Sequence, residues 1–219
     1  MSDHLEELNP GRPTEPRPAA SVILLRRGGR HRSPGIEVLL GKRTSRASFM
    51  ANAWVFPGGA LDSVSSEQAP ADRDYRAAAL RELAEEVSIQ LDDPDQLVPF
   101  SRWITPVEVK VRFDTRFYLA IAPPHCSPRP DEQEIVEVSW FAPSEALDRH
   151  GAGEMLLVFP TIKQLEALGE FVSADEALAA ARSREVEPIM PKVAVVEGEP
   201  RILLPGDPGY EEAPPATPL

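Results

Sequence analysis

The chain has 219 residues, a formal net charge of −12 and a single cysteine, Cys126. That length suits one domain of ordinary size with tails. One thiol excludes an internal disulfide, and so large an acid excess argues against a general nucleic-acid binder, because phosphate backbones reward basic patches. A small phosphate-bearing ligand stays open, since it needs only a local basic or metal-loaded pocket.

No apolar run is long enough to cross a bilayer, and the opening segment lacks the apolar core of a signal peptide. A cytoplasmic protein without a membrane partner is therefore expected. Residues 1–17 are polar and Pro-rich and read as a disordered leader. A folded domain is expected over 18–185. It opens with "ASVILLRR" and "IEVLLGKR", two β-rich runs that read as a hairpin across a Gly/basic connection. "AWVFPGG" is a short strand stopped by Pro and Gly. After a loop-like stretch, Asp72 or Asp74 could cap the helix "YRAAALRELAEEV". "LVPFSRWIT", "RFDTRFYLAIA" and "IVEVSWF" read as strands, and "PSEALDRH", "PTIKQLEALGEF" and "SADEALAAARS" as helical segments. Residues 186–219 form a Pro/Gly-rich extension, with a hairpin expected in "KVAVVEGEPRILLP" and a disordered tail after it. The arm is expected either to pack on its own domain or to meet a partner subunit in a homodimer. Strands interspersed with helices predict a mixed α/β domain with the sheet between helical layers.

The segment "RELAEEVSI" crowds Glu82, Glu85 and Glu86 together behind Arg81. With about 100° of rotation per residue, Glu85 and Glu86 fall within about 60° on either side of Glu82. Leu80, Leu83, Ala84 and Val87 fall on the opposite face. A plain solvated acidic face would intersperse lysines at i+4, and the helix macrodipole disfavours acids near a C-terminal end. A divalent cation shared among the carboxylates relieves the repulsion. Hard oxygen ligands suit Mg²⁺ or Mn²⁺.

These residues resemble the Nudix box, G-x5-E-x7-R-E-U-x-E-E-x-G-U with U aliphatic. Gly59 opens it, and Arg81, Glu82, Leu83, Glu85, Glu86 and Ile89 close it. Arg81 lies 22 positions after Gly59 where the pattern has 14, Arg73 stands where the box has its first glutamate, and Ser88 replaces its glycine. The lengthened box, the lead-in "SFMANAWVFPGGALD", the run "RWITPVEVKVRFDTRFYLA" and "PTIKQLEAL" resemble the peroxisomal-type coenzyme A diphosphatases and their bacterial relatives. Within that subgroup's coenzyme A motif, Ser48 replaces an arginine and Asn52 a glycine.

The resemblance implies the Nudix α/β/α sandwich with a mixed sheet. It implies metal-dependent hydrolysis of a nucleoside diphosphate linked to another group, with coenzyme A or acyl-coenzyme A as leading substrate. ADP-ribose, NADH or another nucleotide is the alternative, and a non-catalytic nucleotide sensor a more distant one. By similarity, Glu85 and Glu86 are metal ligands and Glu82 is a ligand or the water-activating base. Arg81 holds a carboxylate, and Gly58 and Gly59 bring backbone close to metal and phosphate, with the Gly59 carbonyl a candidate ligand. Asp72 or Asp74 stands in for the missing box acid or is only a helix cap. Glu134 is a candidate further acid, in competition with Asp131, Glu132 and Glu137. Arg112 and Asp114, on one face of an alternating strand, are candidate substrate contacts, while Phe113 reads as core. Arg43 contacts phosphate or is a solvated cation.

Overall fold

A computed structural model describes residues 14–27, 35–47, 49–62, 69–196 and 199–213. The apolar run Val22–Leu25 lies in β1 (Arg17–Arg27), the central strand. It is apolar at consecutive positions because both of its faces are covered. One edge of β1 runs parallel to β6 (Phe113–Ile121), from the pair Arg17–Phe113 to the pair Leu25–Ile121. The other edge is shared. Its first part pairs with β4 (Gly58–Ala60), and its last part forms the expected antiparallel hairpin with β2 (Ile36–Arg43). Beyond that junction β2 turns to β7 (Ile135–Phe141) and to the short β3 (Trp54–Val55). On the far side of β6 lies β5 (Val98–Ile104), antiparallel, with the two-residue β8 (Pro188–Ile189) added in parallel at its edge.

Period-2 alternation divides the core. Ala20, Val22, Leu24, Tyr118 and Ala120 face α1 (Asp72–Val87), meeting Tyr75, Ala79, Leu83 and Val87. Ile23, Leu25, Phe117 and Leu119 face the opposite layer. That layer holds α2 (Pro143–Gly151), α3 (Phe159–Gly169) and α4 (Ala174–Arg182), which contribute Ala146, Leu165, Leu168, Ala177 and Leu178. The expected α/β/α arrangement is thus present. "PVEVKV" forms no strand: residues 105–112 make a turn between β5 and β6.

The leader expected over 1–17 is described only from Thr14, where it is tied down. Thr14 donates its hydroxyl to the Lys110 carbonyl, and Arg17 opens β1. Residues 1–13 and the tail 214–219 lie outside the described residues. The extension folds back onto its own domain. Arg184 donates to the Phe100 carbonyl at 2.8 Å and stacks on the Phe100 ring, β8 joins β5, and β9 (Lys192–Val196) and β10 (Glu199–Leu203) form the expected hairpin. Tyr210 donates its hydroxyl to the Met190 carbonyl at 2.7 Å. Among the described residues no helix is long and apolar enough to cross a membrane.

Candidate active site

Both ends of α1 are built by identifiable side chains. At its start Asp74 reaches back to accept the backbone N–H of Ala71 at 2.8 Å, so it caps the helix. Asp72 accepts from Arg76 and Arg116 and from the Tyr118 hydroxyl. Burial alone would raise the Asp72 carboxyl. The hydrogen bonds from Arg76 and Tyr118, with the charges of Arg76 and Arg116, outweigh it and hold the group below its ordinary value. Neither aspartate joins the glutamates.

At the C-terminal end Ser88 adopts a left-handed conformation (φ 59°), and its N–H closes on the Ala84 carbonyl. The departure from the box glycine therefore keeps the helix stop and bears the strain of a side chain there. Asn52, also at a motif glycine, behaves alike at φ 62°; Ser48 lies outside the described residues. The segment before β7 seals the last turn. Arg129 N–H donates to the Val87 carbonyl at 3.0 Å and Asp131 N–H to the Glu86 carbonyl at 3.1 Å. The Asp131 carboxylate then accepts the N–H groups of Glu134 and Ile135. This brings Glu134 near enough for its charge to act on both Glu82 and Glu86.

The three glutamates occupy three environments. The Glu85 side chain is 60% exposed and that of Glu82 only 15%. Glu86 is buried among the helix's core-facing residues and accepts the Gly58 N–H at 2.9 Å. Burial is the main cause that pushes Glu86 up to about 8. The Gly58 N–H and Arg43 oppose it, while Glu82 and Glu134 add to it. Burial likewise raises Glu82 against the pull of Arg81, with Glu85 and Glu134 adding. Arg81 meets Glu82, Glu85 and Asp62, each at 3.0 Å, and donates to the Ala60 carbonyl at 3.2 Å. Burial works against the Arg81 charge, but Glu82, Glu85 and Asp62 outweigh it and raise its pKa. Asp62 was not among the expected site residues; the signal was its place two residues after the Gly-Ala step in "FPGGALD".

Gly58 and Gly59 fit the site through their missing side chains. A Cβ on Gly59 would stand 2.4 Å from Glu82 Oε1. One on Gly58 would strike the backbone of β1, 2.4 Å from the Ala20 carbonyl oxygen. Arg43, at the end of β2, donates Nε to the Phe49 carbonyl at 3.1 Å, and its charge is felt at Glu86.

Arg112 and Asp114 are not brought to this cluster by any contact. Arg112 is buried and donates Nε to the Thr105 carbonyl at 2.9 Å and another N–H to the Thr14 carbonyl. Asp114 accepts both arms of Arg102, at 2.8 and 2.6 Å. Both side chains thus have protein partners. Phe113 packs at 5.7 Å from the Phe49 ring, beneath Arg17. Cys126 is half-buried, and burial pushes its thiol up, away from the reactive thiolate form.

Among the described residues no three His, Cys, Asp or Glu side chains converge tightly enough to grip a metal ion. The donor set nonetheless suits one. Two acids with raised pKa, a third carboxylate beside them and the charge of Glu134 leave negative charge that Arg81 and Arg43 do not offset.

Comparison with known proteins agrees with this geometry. The NUDIX domain family matches residues 15–160. The acyl-coenzyme A diphosphatase NUDT19 of Gallus gallus is 25% identical over 92% of this chain and 81% of its own length. An uncharacterized Nudix hydrolase, NudL, of Citrobacter koseri is 35% identical over 60% of each chain. The crystal structure of a NUDIX hydrolase from Alicyclobacillus acidocaldarius superimposes with a TM-score of 0.66 at 27% identity, covering 76% of this chain and 96% of that one. With the NUDIX family matching residues 15–160 and the sandwich superimposing on a solved member, the chain belongs to the Nudix hydrolases, enzymes that cleave pyrophosphate bonds in nucleoside diphosphate derivatives.

Proposed function

We propose that this enzyme hydrolyses the pyrophosphate bond of coenzyme A or an acyl-coenzyme A, with Mg²⁺ or Mn²⁺ held by Glu82, Glu85, Glu86 and the Gly59 carbonyl. The observation that carries the site assignment is buried Glu86, fixed on the Gly58 N–H between the charges of Glu82 and Glu134. A bound divalent cation would neutralise phosphate charge and supply an acidified water. The chain's own groups do the positioning. Arg81 spaces Glu82 and Glu85 and ties both to the Ala60 carbonyl and Asp62. Glu82, short of solvent and raised in pKa, is suited to accept a proton from the attacking water. Arg43 offers a cation beside Glu86 for a substrate phosphate. Water oxygen bonds to one phosphorus, the bridging P–O bond breaks, and two monophosphates leave, one of them with the bridging oxygen.

The coenzyme A label rests on the length-wide likeness to an acyl-coenzyme A diphosphatase and on the "FPGG" and "RFDT" runs. A product assay with Mg²⁺ and then Mn²⁺, over coenzyme A, acetyl-coenzyme A, ADP-ribose, NADH and a dinucleoside polyphosphate, tests it. Coenzyme A is expected to give 3′,5′-ADP and phosphopantetheine, identified by mass. Faster cleavage of ADP-ribose or NADH would keep the chemistry and discard the label.

A further inference from the structure

A cavity of about 600 Å³ opens on the sheet face away from α1. Phe49, Trp103, Phe117 and Phe159 line it from the catalytic domain, and Val193 and Ile202 from the β9–β10 hairpin. Three further observations mark it as a ligand site. Val111 and Ile202, both large apolar side chains left exposed, sit on its border. The Trp103 ring meets the Phe159 ring edge-on at 6.1 Å, so this wall is aromatic and apolar. Lys110 and Arg201 add cations to the lining, which suits an anionic substrate. The cavity is also coupled to the chemistry. Phe49, in its wall, accepts a hydrogen bond from Arg43, whose charge reaches Glu86.

We infer that this cavity receives the aliphatic acyl group of an acylated coenzyme A, and that the C-terminal hairpin is its outer wall. The inference rests on the pyrophosphatase reading above and extends it to substrate choice. An alkyl chain matches the apolar walls. The hairpin lies beyond residues 15–160, the stretch matched by the NUDIX domain, so one wall of the cavity comes from outside that domain and the others from within it.

The full-length protein with Mg²⁺ provides the test. kcat/KM is measured for unacylated, acetyl- and octanoyl-coenzyme A in the wild type, Ile202→Glu and Val111→Glu. Both side chains are partly exposed, so the variants should keep the wild-type Tm. Each methylene buried is worth at most about fourfold. The octanoyl-to-unacylated ratio is expected to fall at least tenfold in either variant; a ratio within twofold of wild type in both overturns the inference. A second measurement needs no hydrolysis. Octanoyl-pantetheine, which carries no nucleotide, should change the tryptophan fluorescence saturably, and Ile202→Glu should abolish the change. If no coenzyme A compound is cleaved but this binding is seen and lost in the variant, the substrate label fails and the cavity assignment stands. If coenzyme A is cleaved with no dependence on acyl length, the label stands and the assignment fails. A fluorescence change with adenosine 3′,5′-bisphosphate that Ile202→Glu abolishes, in place of one with octanoyl-pantetheine, also overturns it.

Discussion

The two ends of α1 treat their acids in opposite ways. At the first turn Asp72 has two arginines and a tyrosine hydroxyl as partners, and Asp74 is used up as a cap. At the last two turns one arginine faces Glu82 and Glu85, and buried Glu86 is hydrogen-bonded by a backbone N–H with the Arg43 charge nearby. One carboxyl is held below its ordinary value and the other is driven up to about 8. The same residue class is neutralised at the start of the helix and left short of charge partners at the end proposed to hold metal. Placing under-compensated carboxylates at the negative end of a helix dipole costs stability, and that cost marks a functional site.

The comparison breaks hardest at Glu86. Glu86→Gln keeps an oxygen for the Gly58 N–H and removes the charge. It is expected to lower kcat by about 10²–10⁴-fold, while the Tm of metal-free protein stays level or rises. Wild-type turnover in this variant would remove α1 from the mechanism. The glycine pair sharpens the contrast between chemistry and fold. Gly59→Ala presses on the mobile end of Glu82 and should reduce activity with little change in Tm. Gly58→Ala meets the β1 backbone and should destabilise the protein by about 3 kcal/mol. Equal effects of the two on urea midpoint would show that neither glycine is specific to the site.

The smallest effect belongs to Asp72→Asn. Asp72 has a lowered pKa in the folded state, so its contribution is full above its unfolded value near 3.8 and is lost as pH falls through the lower folded value. The wild type should exceed the variant by about 1 kcal/mol at neutral pH, a figure reduced for a half-exposed group. That margin should close below pH 4. A margin that persists at pH 2 in chemical denaturation would mean that shape, not charge, holds the helix start.

Much of the frame is legible in the chain because its signals are local. β-rich runs give β1, β2, β5, β6 and β7, and the spacing of Leu83 and Val87 gives the core side of α1. What is not legible depends on distant partners. Thr14, Thr105 and Arg102, which hold Arg112 and Asp114, arrive from elsewhere in the chain. Helical geometry placed Glu86 beside Glu82, but not its burial, which requires β4 to be laid along β1. The cavity is less legible still. Its walls come from residues 49–52, 103–117, 156–160 and 191–202, and no local pattern joins them.

The last of those segments bears on synthesis. Strands β1 to β7 and helix α1, with every acid placed in the reaction, are complete once Phe141 has left the ribosome. The hairpin that walls the cavity follows some fifty residues later, and β8 must find the edge of β5 before it can dock. A chain interrupted or clipped between α4 and β9 would carry the glutamate helix and both helical layers without the hairpin wall.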